Sequence, residues 1–75
     1  MKIRVKWLDV RTGEYWKSYT TEVYKLSHIL EEIQASEYAE KIVCGRQYDN
    51  YMKFYNTNEY GDELDEIFVY FLDED

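Results

Sequence analysis

The stretch LSHILEEIQAS at residues 26–36 decides the fold class, because it carries the one clear helical pattern of the chain. Its apolar side chains have the i, i+3, i+4, i+7 spacing that forms one face of a helix: Leu26, Ile29, Leu30 and Ile33. Ser27 is expected to cap the N-terminus of this helix. Continuing the pattern would place carboxylates on the apolar face at a high cost, so the helix is predicted to end near Ala35 or Ser36.

Upstream of this helix the sequence predicts an antiparallel hairpin. Residues 2–8 alternate charged and apolar side chains with the period of two that a half-buried strand requires. Gly13 ends a short turn at residues 11–13, and residues 14–24, rich in Tyr, Trp, Thr and Val, form the return strand.

Downstream of the helix three more strands are predicted. Residues 41–47 form the third strand, and residues 51–55 form the fourth after a turn at Asp49-Asn50. A polar loop is expected over residues 56–65. The last strand, residues 66–72, is apolar on both faces and is therefore predicted to lie in the middle of the sheet.

These elements predict a single small domain over residues 1–75. Its fold class is α+β, with two layers: one helix on a mainly antiparallel sheet of four to five strands, in ββαβββ order. This order resembles that of the β-grasp, the ubiquitin-like fold. Ubiquitin-like modifiers end in Gly-Gly, whereas this chain ends in Asp73-Glu74-Asp75, so the resemblance implies a fold and not a role as a conjugated modifier.

The composition narrows the classes of partner. With 9 Lys+Arg and 16 Asp+Glu the formal charge is −7, which disfavours direct binding of nucleic acid. No apolar run approaches the roughly 20 residues of a membrane span, so no membrane partner is expected. A single cysteine cannot form an internal disulfide, which fits a cytoplasmic setting.

Catalytic, metal and cofactor sites are not expected. His28 is predicted to face solvent, opposite the apolar face of the helix, and Cys44 is predicted to be a buried, unreactive thiol in an apolar strand. Residues 56–62 begin like a calcium loop, but Tyr60 and Ile67 occupy positions that require oxygen ligands. We therefore expect no enzyme activity, no bound metal and no cofactor.

The aromatic content exceeds what the covered face of the sheet can hold. The chain has 9 Tyr, 3 Phe and 2 Trp, and one helix covers only one face of a sheet. Ile3, Val5 and Trp7 are expected to pack beneath the helix. A further six aromatic residues cannot all fit there, so some are expected on the far face or at the edge, as half-exposed rings or as a binding surface: Tyr15, Tyr19, Tyr51, Tyr55, Phe68 and Tyr70.

Acidic residues are concentrated near the C-terminus, and no Lys or Arg follows Lys53. Such a run is either a solubilising face or a surface that docks on a basic partner. On the second interpretation, the predicted partner-binding residues are Glu59, Tyr60, Asp62, Glu63, Asp65, Glu66, Tyr70, Asp73, Glu74 and Asp75.

Two functional hypotheses follow. In the first, the chain occupies a basic, nucleic-acid-binding surface of a partner protein by presenting carboxylates in place of phosphates. Small inhibitors of CRISPR and restriction enzymes carried by phages and mobile elements are similar in size and charge. In the second, the chain is a structural or regulatory subunit that dimerises or joins a complex through its aromatic sheet face.

Overall fold

A computed structural model describes residues 1–72, which form five strands and one helix. The predicted ββαβββ order and the two-layer α+β class are confirmed. The elements in chain order are β1 (Lys2–Asp9), β2 (Tyr15–Glu22), α1 (Ser27–Gln34), β3 (Lys41–Gln47), β4 (Tyr51–Thr57) and β5 (Glu63–Leu72).

The strands form one sheet in the order β2-β1-β5-β4-β3, and every neighbouring pair is antiparallel. β5 is the central strand, as its apolar sequence on both faces predicts. β2 and β3 follow each other in the sequence but occupy opposite edges of the sheet. The chain between them therefore crosses three strands, and α1 lies on the face that it crosses.

The hydrophobic core lies between α1 and the sheet. Ile29 and Ile33 of the helix are fully buried against the central strands. The expected packing of Ile3, Val5 and Trp7 in this layer is confirmed. At about 25 cal/mol per Å² of apolar surface removed from water, this layer is the main source of stability in so small a chain. The core residues are Ile3, Val5, Trp7, Val23, Ile29, Ile33, Phe54, Ile67 and Val69.

The helix begins differently from the prediction. Leu26 is the N-cap residue, its side chain is 51% exposed, and no side-chain hydrogen bond caps the helix. The prediction of Ser27 as the cap is wrong, because the backbone of Leu26 is already helical (φ −58°, ψ −37°), which places Ser27 inside the first turn. The predicted end is confirmed: Gln34 is the last helical residue and Ala35 is the C-cap.

The polar loop is shorter than predicted. β4 extends to Thr57 and β5 begins at Glu63, so that only residues 58–62 connect them. Asn56, Thr57 and Asp65, which the prediction placed in the loop, are buried. Their polarity is compatible with burial because each has a hydrogen-bond partner inside the protein.

Cys44 is exposed, so the prediction of a buried thiol is wrong. Its side chain lies on the α1 side of the sheet, opposite Phe54, but on the edge strand β3. The eight residues of α1 leave this edge largely uncovered, and six of the seven residues of β3 are exposed. His28 is half-buried, with its ring edge-on to Tyr24.

Candidate partner-binding surfaces

The sheet face opposite α1 is uncovered by any element of residues 1–72, and we call it the open face. Cross-strand register determines which side chains it carries. Phe68 of β5 lies opposite both Lys6 of β1 and Lys53 of β4. Tyr70 lies opposite Arg4 on one side and Tyr51 on the other. Aromatic and basic side chains therefore alternate across the three central strands.

Five rings on this face form a continuous series of contacts. Tyr48 and Tyr51 are stacked, with centroids 4.4 Å apart and planes at 15°. Tyr51 then contacts Tyr70 at 5.5 Å and Phe68 at 6.1 Å, and Phe68 contacts Tyr15 at 6.2 Å. We call this set the aromatic row: Tyr48, Tyr51, Tyr70, Phe68 and Tyr15.

Two lysines lie over rings of the open face. The Lys6 Nζ is 5.3 Å from the ring centroid of Tyr15 and 6.0 Å from that of Tyr70. The Lys53 Nζ is 5.4 Å from the centroid of Phe68. These distances are within the range of cation–π attraction, which holds the ammonium groups close to the rings.

The open face carries positive charge on an acidic protein. On β1, β2, β4 and β5, four basic side chains point to this face, against two acidic ones, although the chain as a whole has a formal charge of −7. Glu66 is paired with Lys53 at 3.5 Å. The charged residues of the open face are Lys2, Arg4, Lys6, Lys53, Glu22 and Glu66.

Two ionisable groups of the open face have raised pKa values. Burial raises the pKa of the Tyr70 hydroxyl, and the neighbouring Tyr15 and Tyr51 raise it further. Burial alone would lower the pKa of the Lys53 ammonium, but Tyr55 and Glu66 together raise it by more. At neutral pH the open face therefore presents a protonated Tyr70 hydroxyl and a charged Lys53.

A second surface is the connection between β4 and β5 together with the first residue of β5, which we call the acidic loop (residues 58–63). The Asn58 Oδ1 accepts hydrogen bonds from the backbone N–H groups of Tyr60 (2.9 Å) and Asp62 (3.0 Å). Gly61 takes the positive φ, 87°, that closes this turn. Tyr60 is 82% exposed at the tip, and Glu59, Asp62 and Glu63 are exposed beside it.

The structure brings together only part of the acidic set predicted from the sequence. Glu59, Tyr60, Asp62 and Glu63 share the acidic loop. Asp65 is buried, with an exposure of 8%, and its carboxylate accepts hydrogen bonds from two other side chains. Glu66 and Tyr70 point instead to the open face. The last three members, Asp73, Glu74 and Asp75, lie outside the described residues.

Asp65 belongs to a buried polar network that sequence reasoning missed. Its Oδ1 accepts from the indole Nε1 of Trp16 (2.9 Å), and its Oδ2 accepts from the Nδ2 of Asn56 (3.1 Å). The Asn56 amide also donates to the Tyr38 carbonyl (3.0 Å) and accepts from the Glu40 N–H (2.8 Å). This network fastens the α1–β3 connection to the sheet and is structural.

The basic residues of the open face were also missed as binding candidates, although one signal pointed to them. Alternation of Lys2, Arg4 and Lys6 with core residues already placed these cations on the far face of β1. Only the strand order places them on the same face as Lys53 and Tyr51, with β5 between, and alternation within one strand does not reveal which strands are neighbours.

Comparison with known proteins gave no relative: no family model, no curated protein and no solved structure matches the chain. Within residues 1–72, no group of three or more His, Cys, Asp or Glu side chains is arranged to hold a metal ion. No helix in the same part of the chain has the length and apolar character needed to cross a membrane.

Proposed function

We propose that this chain is a non-enzymatic binding protein that docks on a partner through its open face. One observation carries the proposal: the aromatic row is a continuous set of five rings with lysines over it, on a face that no other element of residues 1–72 covers. This corresponds to the second functional hypothesis from the sequence, a subunit that works through its aromatic sheet face.

The physical argument is burial of pre-organised aromatic surface. Tyr15 and Tyr48 are exposed, and the three rings between them are half-buried, so the row offers a continuous partly accessible aromatic surface. Contiguous apolar surface of this kind on a small domain is typical of interaction sites. Tyr offers rigid area together with a hydroxyl that tolerates water before docking. Because the rings already contact each other, little side-chain freedom remains to be lost when a partner covers them.

The charge on the open face favours a partner of opposite sign. Two copies of the chain packed with their open faces together would bring together two surfaces that each carry a surplus of basic side chains. Like charges across such an interface oppose association. A partner with negative charge would instead be attracted. We place this interaction in the cytoplasm, since the single cysteine requires no oxidising compartment.

The acidic loop supports a second candidate, the occupation of a basic and nucleic-acid-binding surface of another protein. The supporting observation is that the Asn58 side chain accepts two backbone hydrogen bonds across the loop, with an exposed Tyr60 at its tip and carboxylates on both sides. We rank it second, because Asp65 and Glu66 are engaged elsewhere and leave three exposed carboxylates in this part of the structure.

Capture from an extract of the native host tests the two surfaces against each other. The open-face variant is Tyr15→Ser with Tyr51→Ser, and the loop variant is Asp62→Lys with Glu63→Lys. We expect that the macromolecules specifically retained by the unchanged protein are no longer retained by the open-face variant and are still retained by the loop variant. Loss with the loop variant alone would contradict the proposal and support the second candidate.

A further inference from the structure

We propose that the ligand of the open face is single-stranded nucleic acid, with bases stacked on the aromatic row and phosphates held by the cations of β1 and β4. This inference rests on the proposed function of the open face and names its ligand. The chain's net charge of −7 disfavours such a ligand for the molecule as a whole. On the open face, however, basic side chains outnumber acidic ones, so this surface by itself favours a negatively charged ligand.

The spacing of the rings suits an extended strand. Along the aromatic row beyond the Tyr48–Tyr51 stack, contacting centroids are 5.5–6.2 Å apart. Bases stacked in a helix are separated by about 3.4 Å, so these rings match a strand whose bases are unstacked and spread over a surface. Aromatic rings on neighbouring central strands of a sheet bind bases in this way, and every base has a face that stacks.

The cations of the open face are interspersed with the rings, so the phosphates of a strand lying on the rings would pass beside them. Lys6 on β1 lies between Tyr15 of β2 and Phe68 of β5, and Arg4 lies beside Tyr70. Lys53 on β4 lies on the other side of Phe68. Arg4 and Lys6 also line a shallow depression together with Asn50 and Tyr70. A phosphate in this depression would contact two cations while its base lies on the neighbouring ring, which is the combination of groove and stacking surface that single strands require.

Distance weakens the opposing field of the acidic loop. Along β5, Glu63 is about 17 Å from Phe68 and about 23 Å from Tyr70, at roughly 3.3 Å per residue. The Debye length at 0.1 M salt is about 10 Å, so the carboxylates of the acidic loop are largely screened at Phe68 and Tyr70. Long-range repulsion from the net charge still lowers the association rate, and we expect a dissociation constant in the range of about 1–100 μM.

The occupant fits the chemistry of the face better than its competitors. A duplex hides the faces of its bases and offers nothing to stack on the aromatic row. A second copy would place another surface with a surplus of basic side chains against this one. An acidic protein surface would pair with those cations but does not specifically require a series of aromatic rings. The experiment below distinguishes this alternative from single-stranded nucleic acid.

Fluorescence anisotropy with dye-labelled oligothymidylate and oligouridylate provides the test, with a duplex of the same length as comparison. We expect binding to both single strands and much weaker binding to the duplex. Three to four phosphate contacts predict that affinity falls about 20- to 50-fold between 50 and 200 mM salt. Absence of single-strand binding at 50 mM salt would overturn the inference.

Matched variants distinguish binding at the open face from non-specific binding that depends only on net charge. Arg4→Glu and Lys25→Glu alter the net charge equally, but Lys25 lies in the β2–α1 connection, away from the open face. Likewise, Tyr15→Ala removes a ring of the aromatic row, and Tyr60→Ala removes one from the acidic loop. We expect affinity to fall about fivefold or more with Arg4→Glu and with Tyr15→Ala, and to change less than twofold with the two controls.

Circular dichroism and unfolding midpoints establish that each variant is folded; Arg4 and Tyr15 are exposed, so neither change disturbs the core. Equal losses in open-face and control variants would show binding by charge alone and overturn the inference. A different result would be that capture from extract depends on the open face and survives nuclease treatment, while oligonucleotides do not bind. That result would overturn the inference of a nucleic-acid ligand in favour of a protein partner, and the proposed function of the open face would stand. If neither capture nor oligonucleotide binding depends on the open face, both proposals fail.

Discussion

Asn56 and Asp65 face each other on the neighbouring strands β4 and β5, with the Asn56 Nδ2 3.1 Å from the Asp65 Oδ2. Both side chains are buried on the α1 side of the sheet. A buried carboxyl group requires hydrogen-bond partners, and that of Asp65 has two donors, the Asn56 amide and the Trp16 indole. Stability and position of the α1–β3 connection therefore depend on a polar pair inside the core.

Replacing Asn56 by Ala should lower the free energy of unfolding by about 2–4 kcal/mol. The change removes a donor to Asp65 and leaves the Glu40 N–H and the Tyr38 carbonyl without their partner. Urea unfolding followed by tryptophan fluorescence measures the loss. Asn50→Ala, at an exposed position, is the control and should change stability by less than about 0.5 kcal/mol; equal effects would refute the structural role of the network.

Gly45→Ala should destabilise the β3–β4 pairing. A Cβ at this position would lie 2.7 Å from the Lys53 carbonyl oxygen and 2.8 Å from the Cε2 of Tyr55. Since the first of these atoms belongs to the backbone, the edge strand has to shift, at about 1–3 kcal/mol. Thermal unfolding compares this variant with Gln47→Ala on the same strand, for which we expect almost no change; a Gly45→Ala protein as stable as that control would contradict the close approach.

The exposure of Cys44 predicts rapid reaction with a thiol reagent. In the native protein we expect labelling at nearly the rate seen for the urea-unfolded chain, because the side chain is accessible on the edge strand β3. Cys44→Ser should alter the free energy of unfolding by less than about 0.5 kcal/mol. If Cys44 reacts only when the protein unfolds, the thiol is buried, and the exposure of Cys44 is contradicted.

Stability should fall at alkaline pH, above about 10. Burial, with Glu32 nearby, raises the pKa of Tyr19 above its usual 10.0, and burial with Tyr15 and Tyr51 does the same for Tyr70. A raised pKa in the folded state means that the unfolded chain loses its proton first. The stabilisation is therefore complete below pH 10 and is lost as the pH rises through the folded-state values.

Urea unfolding at a series of alkaline pH values measures this loss. Tyr19→Phe with Tyr70→Phe keeps both rings but removes both titrating hydroxyls, so its stability should decline less steeply. Lys53 contributes in the same direction, because its raised pKa also favours the protonated form in the folded state. A double variant with an unchanged pH dependence would rule out the two tyrosines as the source.

Periodicity predicted the elements that bury a continuous apolar face. The alternation of Ile3, Val5 and Trp7 fixed the inner face of β1, and the apolar run at 67–72 indicated the central strand. The excess of rings over the space beneath one helix also predicted an aromatic far face. Of the six rings in question, five point to the open face and Tyr19 lies on the α1 side.

Features that depend on pairs of residues far apart in the sequence were not predictable. The sequence around Asn56 predicts a loop, because its hydrogen-bond partners, Asp65 and the Glu40 N–H, are distant in the sequence. Only the strand order brings these groups into contact. Cys44 has apolar neighbours in the sequence, but its burial depends on how far the short α1 extends across the sheet. The acidic residues are likewise distributed over both faces of the sheet, because successive side chains of a strand point to opposite faces. Asp65 therefore points to the α1 side and Glu66 to the open face.

The crossing of the sheet by the β2–α1–β3 segment has a kinetic consequence. Strand pairs β1–β2, β3–β4 and β4–β5 join neighbours in the sequence and close after short loops, whereas β1–β5 joins the two ends of the described chain, with Lys2 beside Leu72. Local pairings form quickly, and closure of a long loop carries the larger entropy cost. The hairpin and the three-stranded meander should therefore form first, and the seam between β1 and β5, where Val5 meets Val69, should set the folding rate.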